Sequence, residues 1–140
     1  MLAKSKKQKG KRLEKYVASK LNRIFRFAYS RADSGSGKYQ KEDVSLPDDI
    51  PLFIECKNQA ELSLKSWWNQ TTFHCPHSKY PILIYKLNYQ KEPTVVTNLI
   101  SLIKILREVK DDMTELKLSI SFSDFLDLVR SAYSGKNERI

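Results

Sequence analysis

Between Gly10 and Ile24 the apolar residues Leu13, Tyr16, Val17, Leu21 and Ile24 recur at the spacing of one helical face. The polar, basic residues 1–9 before them are expected to form a flexible arm. Residues 25–31 alternate apolar and polar positions and predict a strand. Residues 32–41 hold two of the four glycines and predict a loop. A short strand over 42–46 and a Pro-Asp-Asp turn over 47–49 lead into 50–58, a nearly continuous apolar run that suits a central strand. A helix is expected over 63–73 with Ser63 as its N-cap. Strands at 82–88 and 93–99 flank a turn at Tyr89–Glu92. Leu99, Leu102, Ile103, Leu106 and Val109 mark another helix, 116–122 another strand, and 123–133 a last helix capped by Ser123. The aromatic residues of 25–31 and 82–88 are assigned to the core. The pattern describes a mixed α/β domain with a hairpin-rich sheet.

The chain has 140 residues, enough for a single domain with its own core. No apolar run approaches the ~20 residues that span a bilayer. The basic N-terminus is not followed by the apolar stretch of a secretory signal. Cys56 and Cys75 do not make a disulfide framework. An intracellular, cytoplasmic protein is expected, acting in a host cell if virus-encoded.

Charge changes the picture more than composition does. The net charge is +9. Residues 1–26 hold ten bases and one acid, Glu14, whereas 27–140 hold fifteen of each. The excess is a local N-terminal patch, the footprint of a polyanion-binding surface. Nucleic acid is the expected partner, contacted by Lys9, Lys11 and Arg12. A membrane-surface role fits less well, because the segment lacks the aromatic face of an interfacial helix. Glu14 is either a salt-bridge partner for neighbouring lysines or a carboxylate with a task of its own.

The chemistry is concentrated at Ile54-Glu55-Cys56-Lys57. Strand alternation points Glu55 and Lys57 one way and Ile54 and Cys56 the other. A carboxylate and an ammonium on an otherwise apolar strand are costly unless paired or used. Asp43 opens the preceding strand, and hairpin pairing can bring it beside Glu55. Two such carboxylates can hold Mg²⁺, with Mn²⁺ as an alternative and the Cys56 backbone carbonyl as a further oxygen ligand. Lys57 then positions or activates a water, or neutralises charge on a phosphate. Glu14 comes in from the first helix as another ligand, directly or through water. The competing reading of Glu55 and Lys57 is an exposed surface ion pair. His74, Cys75 and His77 lack a convincing fourth zinc ligand. The side chain of Cys56 is expected in the core.

Asp43 followed by Glu55-Cys56-Lys57 resembles the active-site motif of the PD-(D/E)xK nuclease superfamily. The basic helix carrying Glu14 and the 31–37 loop resemble its Holliday-junction-resolvase branch. The resemblance spans roughly residues 9–86. It implies a restriction-endonuclease-like αβββαβ core with a central mixed sheet and C-terminal helical additions. It also implies metal-dependent DNA hydrolysis, a branched-DNA substrate and a homodimer, with no small-molecule organic cofactor. Gln70, on the helix after the Lys57 strand, matches a glutamine that orients the site or a phosphate in several branches. Arg31, Ser34, Gly35, Ser36 and Lys38 of the loop are implied DNA contacts. One of Trp67 and Trp68 is expected under the sheet, and the other is free to stack on a sugar or base.

Glu42 stands where the motif has proline, and Pro47-Asp48 offers a rival acid, as does Asp49. Both lie in the turn, away from the strand face, so Asp43 is preferred. The functional alternatives are another nuclease of the superfamily acting on duplex, ends or single strands, and a non-catalytic nucleic-acid-binding protein. A partner-binding module built on the 99–133 helices is a third.

Overall fold

A computed structural model describes residues 2–25, 28–30, 42–109, 118–119 and 122–133, with side chains from residue 7 onward. Its contacts divide the chain into two compact units, Met1–Glu108 and Val109–Ile140.

The first unit begins with helix α1 (Leu2–Leu21). Residues 2–9 are therefore its first turns and not an arm. Their lysines, glutamine and alanine are good helix formers, and nothing in the run breaks a helix. The buried face of α1 is Leu13, Val17 and Ala18, with Leu21 packed beside them. Tyr16 and Ile24, expected on that face, are largely exposed. At the end of α1, Asn22 clamps the chain to the sheet: its Nδ2 donates to the Ala28 carbonyl at 2.6 Å, and its Oδ1 accepts from the Ala28 N–H at 2.9 Å.

Five strands follow: β1 (Tyr29–Ser30), β2 (Val44–Ser45), β3 (Leu52–Gln59), β4 (Tyr80–Leu87) and β5 (Thr94–Val96). They form one sheet in the order β1-β2-β3-β4-β5, with β3 in the middle as its apolar run requires. Only β3 and β4 are parallel; the other neighbours are antiparallel. The parallel pair needs a crossover, supplied by α2 (Leu64–His74). Helix α3 (Leu99–Arg107) completes the unit, its N-cap Asn98 accepting the Ser101 N–H at 2.8 Å. The α1-β1-β2-β3-α2-β4 run is the expected αβββαβ core with a mixed sheet.

Strand alternation splits the core in two. Ile54, Cys56 and Ile82 pack with Val44 against α1. Leu83 and Leu87 pack with Trp67 of α2. Burying a large aliphatic side chain stabilises by roughly 1.5–3 kcal/mol, so each face holds its helix in place. Trp67 is the tryptophan under the sheet, its ring 5.7 Å from that of Tyr85. Trp68 is half-buried on the same cluster. Of the aromatic residues assigned to the core, Tyr29 is largely exposed, since the short β1 turns it outward.

Two caps differ from expectation. Ser63 holds the N-cap position of α2, but its side chain makes no capping bond because its backbone is not in the extended form the cap needs. In the second unit, α4 (Phe122–Tyr133) starts one residue early, which places Ser123 in its first turn. Phe122 is thus helical, and most of the strand expected at 116–122 lies outside the described residues. So does the loop of Arg31, Ser34, Gly35, Ser36 and Lys38.

Candidate active site

The site is built where β2 meets β3. Val44 pairs with Ile54 in an antiparallel register. One step further along that register, Asp43 reaches the level of Glu55 and Cys56. The Asp43 N–H donates to the Ile54 carbonyl at 2.9 Å. Its Oδ2 accepts the Cys56 N–H at 2.8 Å in a buried bond. That charge-assisted contact fixes the carboxylate against the strand. Asp43 and Glu55 are only 7% and 4% exposed.

A cavity of about 280 Å³ opens over this corner. It is lined by Asp43, Glu55 and Lys57 from the sheet, Glu14 from α1, and Gln70 and His74 from α2. All five residues expected to act together are therefore brought to one place. Each placement has a local cause. Glu55 and Lys57 share the strand face opposite Ile54 and Cys56. Gln70 and His74 are four apart on α2, so both point to the same side. Glu14 and Gly10 are four apart on α1, and Gly10 also lines the cavity, with nothing within 4 Å of where a Cβ would stand.

Cys56 belongs to both sides of the strand. Its side chain is buried in the α1-facing core, yet the residue also lines the cavity. Burial pushes its thiol pKa well up, and the negative charges of Asp43, Glu14 and Glu55 push it further. All three carboxylates thus lie within electrostatic reach of one atom. Both effects favour the protonated thiol.

Asp48 and Asp49 are exposed in the turn and do not line the cavity. The rival acids are accordingly set aside in favour of Asp43. Cys75 directs its sulfur to the Pro76 and Lys79 carbonyls, each at 3.4 Å, and His77 is exposed. Among the described residues no group of three His, Cys, Asp or Glu forms a ready metal cage. The oxygen donors of Asp43 and Glu55 nevertheless suit Mg²⁺, which binds through one or two carboxylates and keeps several waters. Trp68 lines a separate groove with Leu64 and Val96, away from this cavity. Lys9 and Arg12 line a second cavity, and Lys11 is exposed.

Sequence reasoning passed over Gly10, Asn58, Gln59 and His74 as lining residues. The i, i+4 spacings to Glu14 and Gln70 carry the signal for Gly10 and His74. Gln59 has the strand parity of Glu55 and Lys57, but Asn58 does not; its side chain turns to α1, where Nδ2 donates to the Lys9 carbonyl.

Compared with known protein families, residues 5–125 match one described as "Phage putative PDDEXK endonuclease". The chain belongs to this family. The match covers most of the sequence and all of the cavity. Neither curated proteins nor solved structures returned a match. Membership in an endonuclease family implies DNA as substrate. Among the described residues no helix is long and apolar enough to cross a membrane.

Proposed function

We propose that this chain is a Mg²⁺-dependent endodeoxyribonuclease that cuts branched DNA. The observation that carries the reading is the convergence of Asp43, Glu55, Lys57 and Glu14 on one cavity at the centre of the sheet. Asp43 and Glu55 would hold the cation through carboxylate oxygens, with the Cys56 carbonyl as a third donor and Glu14 as a further ligand, directly or through water. When bound, Mg²⁺ or Mn²⁺ supplies Lewis-acid polarisation of the phosphate and eases deprotonation of water.

The protein's own groups do the rest. Lys57, on the same strand face as Glu55, donates hydrogen bonds that hold the attacking water or offset charge growing on the phosphate oxygens. Gln70 orients the phosphate from α2. The water oxygen bonds to phosphorus as the bond to the leaving ester oxygen breaks; the water gives its proton to solvent and the leaving oxygen takes one from solvent. Lys9, Lys11 and Arg12, with Arg31, Ser34, Gly35, Ser36 and Lys38 of the loop, contact backbone phosphates, so selectivity rests on DNA shape more than on base edges. Two chains acting as a homodimer serve the two strands of a symmetric junction. The phage label of the family supports a setting in the host cytoplasm.

Cleavage of an end-labelled four-way junction beside its matched linear duplex, in Mg²⁺ and in EDTA, tests the proposal. Paired, metal-dependent nicks confined to the junction are expected. Cutting of both substrates keeps the nuclease and removes the junction preference. Salt-sensitive binding without any cutting would leave a nucleic-acid-binding protein in its place.

A further inference from the structure

A second cavity, of about 500 Å³, lies between α1 and the β4–β5 connection. Four cations line it: Lys9 and Arg12 from successive turns of α1, Lys86 from β4 and Lys91 from the connection. No Asp or Glu among the described residues lines it. The Lys9 ammonium reaches across to the Asn88 Oδ1 at 3.0 Å, joining the two walls. Tyr16, 47% exposed, lends an aromatic edge. This cavity adjoins the acidic one. Asn58 lines both, and its Nδ2 donates to the Lys9 carbonyl at 3.0 Å, next to Gly10 of the acidic wall.

The two neighbours have opposite charge. Three carboxylates in the acidic cavity repel a polyanion, and Lys57 together with a bound divalent cation only cancels that charge without adding a net attraction. A substrate whose charge repeats along its length gains from an adjoining row of cations, whereas a small free anion would use one cavity alone. We propose that the basic cavity holds the phosphodiester backbone of the strand next to the phosphate being cut, with Lys86 and Lys91 as contacts additional to Lys9 and Arg12. This rests on the nucleic-acid reading of the acidic site and names where the flanking strand runs.

The test is fluorescence anisotropy of a labelled duplex and of the same-length single strand, in EDTA, across a salt series. The proteins compared are wild type, Lys86→Gln/Lys91→Gln, and Arg107→Gln on α3 as a control that removes one cation away from the cavity. The slope of log affinity against log salt should fall by about 1.8 on duplex or about 1.4 on single strand for the double variant, with about tenfold weaker binding at low salt. The control should match wild type. Arg12→Gln, on the helical wall, should lower the slope by about half as much. Equal melting temperatures exclude misfolding. A wild-type slope in the double variant overturns the proposal, as does displacement by inorganic phosphate as effective as that by an oligonucleotide, which would mark a small-anion pocket. If wild type does not cleave but the slope falls as stated, the nuclease reading fails and the basic cavity stands. If wild type cleaves and the slope is unchanged, only the basic cavity fails.

Discussion

The two faces of β3 carry opposite chemistry on one strand. Ile54 and Cys56 press against α1 in an apolar cluster, while Glu55 and Lys57, interleaved with them, line a polar cavity beside α2. Alternation with a period of two turns four consecutive residues into one half core and one half chemistry. The buried half sets the position of the polar half. Glu55 is 4% exposed because its neighbours anchor the strand on both sides. A strand slipped by one residue would exchange the two sets, so the packing of Ile54 is what keeps the carboxylate in its cavity.

Substitutions on one face of β3 that leave the other intact separate the two roles. Asp43→Asn keeps an oxygen to accept the Cys56 N–H but removes the charge. Metal-dependent cleavage should fall on the order of 10³-fold, with the melting temperature close to wild type. Asp48→Asn and Asp49→Asn, in the exposed turn, should cleave at the wild-type rate. Gel-based cleavage rates on all three variants check this, and a comparable loss in either turn variant would reassign the acid.

Ile54→Ala attacks the opposite face. A buried Ile→Ala change costs about 2–5 kcal/mol, read as a lowered midpoint in urea denaturation. In the fraction still folded, cleavage per molecule should persist. Lys57→Ala is the converse on the polar face. Cleavage should drop by about 10²–10³-fold with little change in stability, because Lys57 is only half-buried.

Two smaller effects sharpen the picture. The Cys56 thiol keeps its proton in the native protein above the pH at which an unfolded thiol, near about 8.5, loses it. The native state then binds more protons than the unfolded one. The stabilisation is complete below that pH and declines as pH rises into the alkaline range. Cys75, raised by partial burial and lowered by Lys79, acts in the same direction. Denaturation midpoints measured from pH 7 to 10 should therefore fall, and less steeply in Cys56→Ala. Gly10→Ala should stabilise by about 0.5–1 kcal/mol, since Gly10 sits inside α1 and an added Cβ meets nothing within 4 Å. A thermal melt resolves it.

Much of this was readable before the structure. The apolar run through Leu52 and Ile54 announces a central strand, and the Pro-Asp-Asp turn before it announces the hairpin that carries Asp43 to Glu55. Helical spacing from Leu13 to Leu21 announces the face of α1 that packs, with Glu14 at its edge. Other features depend on long-range contacts. Tyr16 fits the helical face by period, but Lys20 lies 5.4 Å from its ring centroid and the sheet does not reach it. Residues 2–9 look like a tail because their charges obscure good helix formers. Lys86 and Lys91 lie more than seventy positions from Lys9, and only the parallel crossover through α2 brings them to the wall opposite α1. His74 escaped notice because its neighbours Cys75 and His77 drew it into a zinc pattern, when its helical partner is Gln70.

In this reading the polar face of β3 cuts DNA and the apolar face only holds the strand in place. Glu55→Gln tests this most directly, by cleavage of labelled DNA in saturating Mg²⁺ alongside anisotropy binding and thermal melting. Cleavage should fall on the order of 10³-fold, with DNA binding in EDTA and the melting temperature held at or above wild type. Cleavage that survives in Glu55→Gln at the wild-type rate would contradict it, and would show that this cavity is not where the phosphodiester bond is broken.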